Sequence, residues 1–204
     1  MTKDWVGNTN SIFKTLGASN HTDKERELND YYATDSVAID KLCAKFTIPH
    51  NVWECACGEG HLSKRLIELG HNVFSSDLIN RGYGVQQDFL LADKSPVELD
   101  DDFCILTNPP YIHSLAFVKK ALDLVPNDGY VIMFLKTTFL EGKKRYDELF
   151  SKTPPKYMYQ FVNRVLCAKN GDFDYMRKHG GSAVSYAWYL LQKGYNGPTI
   201  IDWI

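Results

Sequence analysis

The chain has 204 residues, enough for one domain with a sizeable core. Hydrophobic residues make up 44% and charged residues 24%, the balance of an ordinary globular protein. No apolar run reaches the length of a membrane span or of a signal-peptide core, so no membrane association and a cytoplasmic location are the expectations.

The net charge of −2 conceals an asymmetry. Residues 1–129 carry 12 Lys/Arg against 19 Asp/Glu, whereas residues 130–204 carry 11 against 6. The basic groups include Lys136, Lys143, Lys144, Arg145, Lys169, Arg177 and Lys178. They suit a polyanion and a solvated surface equally well. The five cysteines are odd in number and scattered through apolar segments, which argues against a disulfide framework. Cys55-Ala-Cys57 lacks a second pair at zinc-ligand spacing, and no metal is expected.

In chain order, residues 1–29 are polar and read as a lead-in to a single domain over 30–204. A helix is expected over 36–46, capped by Thr34 or Asp35. Strand and helix then alternate. Strands are expected over 51–57, 71–76, 84–87, 102–107 and 130–135. Helices are expected over 60–69, with Leu62, Leu66 and Leu69 on one face, and over 114–124 and 142–150. Two further strands, 156–165 and 184–192, have a polar loop between them. Alternation of this kind builds parallel βαβ units with helices on both faces, and the last two strands suggest a C-terminal antiparallel hairpin. The expected fold class is therefore α/β: a mostly parallel, Rossmann-like sheet of seven strands. Ligands bind such sheets at the carboxyl ends of the strands.

The informative residues fall at those ends. Glu54-Cys-Ala-Cys-Gly58-Glu-Gly60 closes the first of these strands and opens a helix. Its glycines permit a tight turn and close ligand approach, as they would in a purely structural turn. Glu54 and Glu59 suit a cationic ligand better than a pyrophosphate. Asp77 ends the next strand, 19 positions after Gly58, a spacing suited to ribose hydroxyls. Asp88 and Phe89 follow the third strand, where the one can accept from an adenine amino group and the other can pack on its ring. A loop Asp beside a core Phe would look the same.

Asn108-Pro109-Pro110-Tyr111 directly follows the buried strand Phe103–Thr107. The prolines stiffen the turn and remove two donors while leaving carbonyls to accept. An exocyclic amine is a poor nucleophile because its lone pair is delocalised. The Asn108 oxygen and the Pro109 carbonyl can accept its two N–H bonds and aim the lone pair, and the Tyr111 ring can stack on the base. No strong general base is evident, and a base in duplex DNA must first be flipped out.

On these residues the chain resembles the small amino-methyltransferases of the N6-adenine DNA type. The order Asp30-Tyr-Tyr-Ala-Thr-Asp35, glycine motif, Asp77, Asp88-Phe89 and Asn-Pro-Pro-Tyr matches that family over roughly residues 30–204. More narrowly, Thr138-Phe-Leu-Glu-Gly-Lys-Lys-Arg-Tyr146, Cys167-Ala-Lys-Asn-Gly-Asp-Phe173 and Tyr186-Ala-Trp-Tyr189 are similar to short enzymes encoded by phages and prophages. The resemblance implies a class I methyltransferase fold with S-adenosylmethionine as cofactor and DNA as partner. It implies catalytic roles for Asn108, Pro109, Pro110 and Tyr111. It implies cofactor contacts from Tyr31, Thr34, Glu54, Gly58, Gly60, Asp77, Asp88, Phe89 and Asn108. Substrate contacts are expected from Lys136 and from Phe173 or Tyr175.

The glycine motif departs from the family's usual Asp-Pro start, and no separate target-recognition domain is expected. Asn-Pro-Pro-Tyr also occurs in enzymes that methylate RNA bases or a protein glutamine amide, and the tetrapeptide does not separate these substrates. A nicotinamide-dependent oxidoreductase is disfavoured by the missing third glycine and by Glu59. A cofactor-binding module without turnover is disfavoured by the intact tetrapeptide. A homodimer is left open.

Overall fold

The structure, a computed structural model, describes residues 32–97, 102–169, 171, 173–178 and 184–204. The elements in order are β1 (Tyr32–Thr34), α1 (Val37–Cys43), β2 (Asn51–Glu54), α2 (His61–Glu68), β3 (Asn72–Asp77), β4 (Val85–Gln86) and β5 (Phe103–Thr107). They continue with α3 (Ser114–Leu124), β6 (Tyr130–Lys136), α4 (Lys143–Arg145), β7 (Tyr157–Gln160), β8 (Cys167–Lys169), α5 (Phe173–Lys178), β9 (Tyr186–Gln192) and β10 (Ile200–Trp203). A π-helical turn, Tyr146–Phe150, continues α4.

The main sheet has eight strands in the order β10-β7-β9-β6-β5-β2-β3-β4. Strands β4, β3, β2, β5 and β6 run parallel. Strand β9 is antiparallel to both β6 and β7, and β10 adds itself parallel to β7.

Alternation through the sheet builds two cores. On one face Trp53, Ile105, Val131, Met133 and Leu135 pack with Phe117, Val118 and Ala121 of α3. On the other, Val52, Cys104, Leu106, Ile132 and Phe134 pack with Ile39 and Leu42 of α1 and Leu62 and Leu66 of α2. Both faces of the central strands are thus covered, which explains why Phe103–Thr107 and Tyr130–Lys136 read as nearly continuous apolar runs.

Three expectations need correction. The sheet has eight strands, because Ile200–Trp203 pairs along its outer edge; this segment of four residues is too short to carry a period. Strands β7 and β9 do pair antiparallel, but they are not joined by a loop alone. Strand β8 and α5 lie between them, and β8 leaves the sheet to pair antiparallel with β1, Thr34 opposite Cys167. Finally, Leu69 is 42% exposed, because α2 ends at Glu68 and Leu69 is its C-cap rather than a third core position. The lead-in over residues 1–29 and Tyr31 lie outside the described residues. Among the described residues no helix is long and apolar enough to cross a membrane.

Candidate active site

A cleft of about 890 Å³ opens at the carboxyl ends of the parallel strands, within the range of small-molecule sites. Its walls bring together Thr34, Glu54, Asp77, Asp88, Phe89, Lys136 and all four residues of the tetrapeptide 108–111. Gly58 and Gly60 stand in the turn between β2 and α2, with Cys57 and His61 beside them in the wall.

The glycine turn is braced from the neighbouring strand. The Gly58 N–H donates to Asp77 Oδ2 at 2.8 Å, and the Ile79 N–H donates to Asp77 Oδ1 at 2.9 Å. Each carboxylate oxygen keeps a further lone pair for a ligand. Gly60 has φ +78°, and a Cβ there would meet the Tyr83 ring at 2.3 Å, so both conformation and space require glycine.

Glu54 is 2% exposed. The Ser63 hydroxyl hydrogen-bonds to its carboxyl group and lies 2.6 Å from the Ser75 hydroxyl. Burial pushes the Glu54 carboxyl up to about 8, against the opposing effect of the Ser63 hydrogen bond. A cationic group arriving beside it would pull it back toward ionisation.

Asp88 caps the short 3₁₀ turn Phe89–Leu91, its Oδ1 accepting from Leu90 N–H at 2.9 Å. Phe89 is wedged edge-to-face against Trp53 at 5.1 Å and lies 5.0 Å from Phe117. It therefore serves the core while contributing to the cleft wall.

The tetrapeptide is held by the small β1–β8 sheet. Asn108 Nδ2 donates to the Tyr32 carbonyl and to Thr34 Oγ1, each at 2.9 Å, and lies 3.6 Å from Cys167 Sγ. A carbonyl can only accept, so the NH₂ must face β1. Asn108 Oδ1 is buried and has no hydrogen-bond partner among the described residues. The Pro110 carbonyl accepts from His113 N–H at 2.9 Å, so of the two proline carbonyls it is the one already used.

Tyr111 lies with its hydroxyl 3.1 Å from Cys167 Sγ, and its ring is contacted by Tyr186, Tyr32 and Lys136 Nζ, the last at 4.8 Å from the centroid. Burial raises the Tyr111 phenol and the Cys167 thiol above their ordinary values. Both stay neutral near pH 7, and neither is a general base.

Phe173 does not line the cleft; it packs edge-on against His61, which does, at 5.3 Å. The side chain of Tyr175 lies outside what is described. Cys167 and Tyr32 stand in the quoted motifs, but their place beside Asn108 is not legible there, because the β1–β8 pairing brings them to it; Tyr186 reaches Tyr111 from β9. Among the described residues no three His, Cys, Asp or Glu side chains gather as a metal site.

No family model and no curated protein matches the chain in sequence. Solved structures match it in fold. A protein from Listeria monocytogenes described as a class I S-adenosylmethionine-dependent methyltransferase has a TM-score of 0.57 at 12% identity, over 95% of this chain and 71% of its own. A protein from Vibrio vulnificus YJ016, described as a modification subunit of a type I restriction enzyme, gives 0.56 at 12%, over 95% of this chain; the match spans 51% of its own length. A Lactococcus lactis protein described as a hemolysin gives 0.58 at 11%, over 82% and 91%. At these identities the likeness is one of fold. The chain has the methyltransferase-like α/β fold, with a mixed sheet of eight strands.

Proposed function

We propose that the chain is an S-adenosylmethionine-dependent methyltransferase acting on an exocyclic amino nitrogen, with N6 of adenine in DNA as its target. The observation that carries this reading is the buried Asn108 Oδ1, an acceptor without a donor beside a fixed NH₂. A buried acceptor left unmade is costly, and a planar amino group would satisfy it.

The donor set fits the cofactor. Glu54 suits an ammonium group, Asp77 retains lone pairs for ribose hydroxyls, and Asp88 and Phe89 suit an adenine. The turn at Gly58 and Gly60 leaves backbone open to close approach. S-adenosylmethionine supplies a methyl group already activated on a sulfonium.

The chain's own residues then position the acceptor nitrogen. Asn108 Oδ1 and the Pro109 carbonyl accept its two N–H bonds and turn the lone pair outward from the ring plane. Tyr111 offers an aromatic face to the base, for which Lys136 now competes. When the nitrogen accepts the methyl group that the bound cofactor would supply, its surplus proton would leave past these neutral acceptors to water.

Transfer to an RNA base or to a protein glutamine amide uses the same acceptor pair. Of the cations in the cleft, Lys136 and Arg145 stand beside the tetrapeptide, and they favour a polyanion over an amide side chain. The likeness to a restriction-modification subunit favours DNA. The test is transfer of labelled methyl to DNA, RNA and protein side by side, followed by nucleoside mass spectrometry. N6-methyladenine in DNA is expected. Label in RNA or protein alone moves the substrate, and no label in any of them overturns the reading.

A further inference from the structure

Across the sheet, the groups at the strand ends come in a fixed spatial order. Asp88 follows β4, Asp77 ends β3, Glu54 ends β2, Asn108 follows β5 and Lys136 ends β6. All line one cleft, and neighbouring strands are about 4.8 Å apart. The charge thus changes sign at Asn108. Three carboxyl groups stand on one side of it, along with His61 near Glu59 and the cation Arg81. On the other side stand Lys136 and Arg145.

Arg145 is singled out by its surroundings. Its neighbours are neutralised one turn on: Lys143 by Asp147 at 2.6 Å and Lys144 by Glu148 at 3.8 Å. Glu148 is also held by Lys119 at 2.9 Å. The Arg145 guanidinium lies 5.4 Å from the Phe139 ring centroid, and one Nη donates to the Thr138 carbonyl at 3.3 Å. Its Nε is buried and has no acceptor among the described residues. Neither Arg145 nor Lys136 meets a carboxylate there. A guanidinium with one long hydrogen bond and a rigid stack beneath it presents an open fork, a geometry that matches phosphate oxygens.

We infer that Arg145 and Lys136 form a phosphodiester subsite, which grips the nucleic-acid backbone beside the target base on the far side of Asn108 from the cofactor. This rests on the proposed function in assuming a nucleic-acid substrate. Lys136 has two stations in it: over the Tyr111 ring when no base is bound, and on the phosphate when a base takes that ring.

The experiment measures binding of short adenine-containing single strands, about a dozen nucleotides long, one DNA and one RNA. Wild-type protein saturated with S-adenosylhomocysteine is compared with Arg145→Gln, which keeps the stem and a planar end over Phe139, and with Lys136→Gln. Affinity is read between about 50 and 200 mM salt. Each variant is expected to bind about tenfold more weakly at the low-salt end, with the slope of log affinity against log salt reduced by about one. Arg145→Lys should restore the slope but not the full affinity, since it returns the charge without the fork. The DNA and RNA arms identify which backbone is gripped. The melting-temperature rise that S-adenosylhomocysteine gives each variant, equal to that of wild type, confirms that the fold is intact. Variants with wild-type affinity and slope overturn the subsite while leaving the proposed function standing. A wild-type protein that binds neither strand overturns both.

Discussion

At Asn108 the side chain has been turned into a one-sided reagent. Its NH₂ is spent on β1 and its oxygen is left over. Replacing it with alanine should remove the acceptor without touching the walls that carry Glu54, Asp77 and Asp88. Asn108→Ala is therefore expected to lower the methyl-transfer rate by at least about 100-fold, comparable to losing one donor of an oxyanion hole, while cofactor affinity measured by calorimetry changes little. Full activity in that variant would remove Asn108 from the mechanism. Glu54 makes a second prediction. Its folded value, about 8, lies above the ordinary 4.5 because burial favours the neutral form. A raised carboxyl group contributes stability that is complete below its unfolded value and is lost as pH rises through its folded value. Ligand-free protein should accordingly lose melting temperature from about pH 4.5 to about pH 8. Glu54→Gln should flatten that limb. Binding of S-adenosylmethionine near pH 6.5 should release close to one proton, about what a pulled-down carboxyl group gives up. Titrations in buffers of different ionisation enthalpy count that proton, and a count of zero would separate Glu54 from the ammonium.

The element that sets Asn108 is the three-residue pairing of β1 with β8. Thr34→Val keeps the shape of the buried side chain but deletes one of the two oxygen acceptors for Asn108 Nδ2. The loss of a hydrogen bond worth about 1 kcal/mol should cut kcat about five- to tenfold with little change in the KM for cofactor. Thr34→Ser should recover most of it, and an unaltered kcat in the valine variant would mean that Tyr32 alone suffices. This clamp is also where sequence and structure part company. Glu54, Asp77 and the tetrapeptide are legible because each stands at the end of an apolar strand, and strand ends in a parallel sheet converge. The partners of Asn108 are not, because β1 and β8 are short, carry no period and meet across 135 positions, Tyr32 to Cys167. Phe89 was ambiguous for a different reason: a core aromatic and a cleft aromatic have the same local pattern, and here one side chain is both. Arg145 left a signal. The spacing of Lys143 to Asp147 and Lys144 to Glu148 is i,i+4, which marks both lysines as paired, whereas the same step from Arg145 lands on Leu149.

For the molecule as a whole, the acidic strand ends and the cationic ones make a cleft with opposite needs at its two ends. A ligand that is itself cationic should bind and stabilise, while a dinucleotide bearing a pyrophosphate should not. S-adenosylmethionine at 100 times its Kd should raise the melting temperature by the equivalent of about 2.7 kcal/mol, and NAD at the same concentration should leave it unchanged. The reverse order would return the glycine turn to the dinucleotide reading. The clamp also bears on when the protein becomes active. The five parallel strands are complete once Lys136 has been made, and with them the wall that holds Glu54, Asp77 and Asp88. The amide of Asn108 still lacks its frame then, because β1 has no partner until residues 167–169 emerge and pair with it. A chain that stops short of Cys167 would lack β8 and β9 together, and so both the frame of Asn108 and an interior strand of the main sheet. Joining two strands that lie 135 positions apart makes the aim of one amide depend on a pairing that closes only when both distant segments are in place.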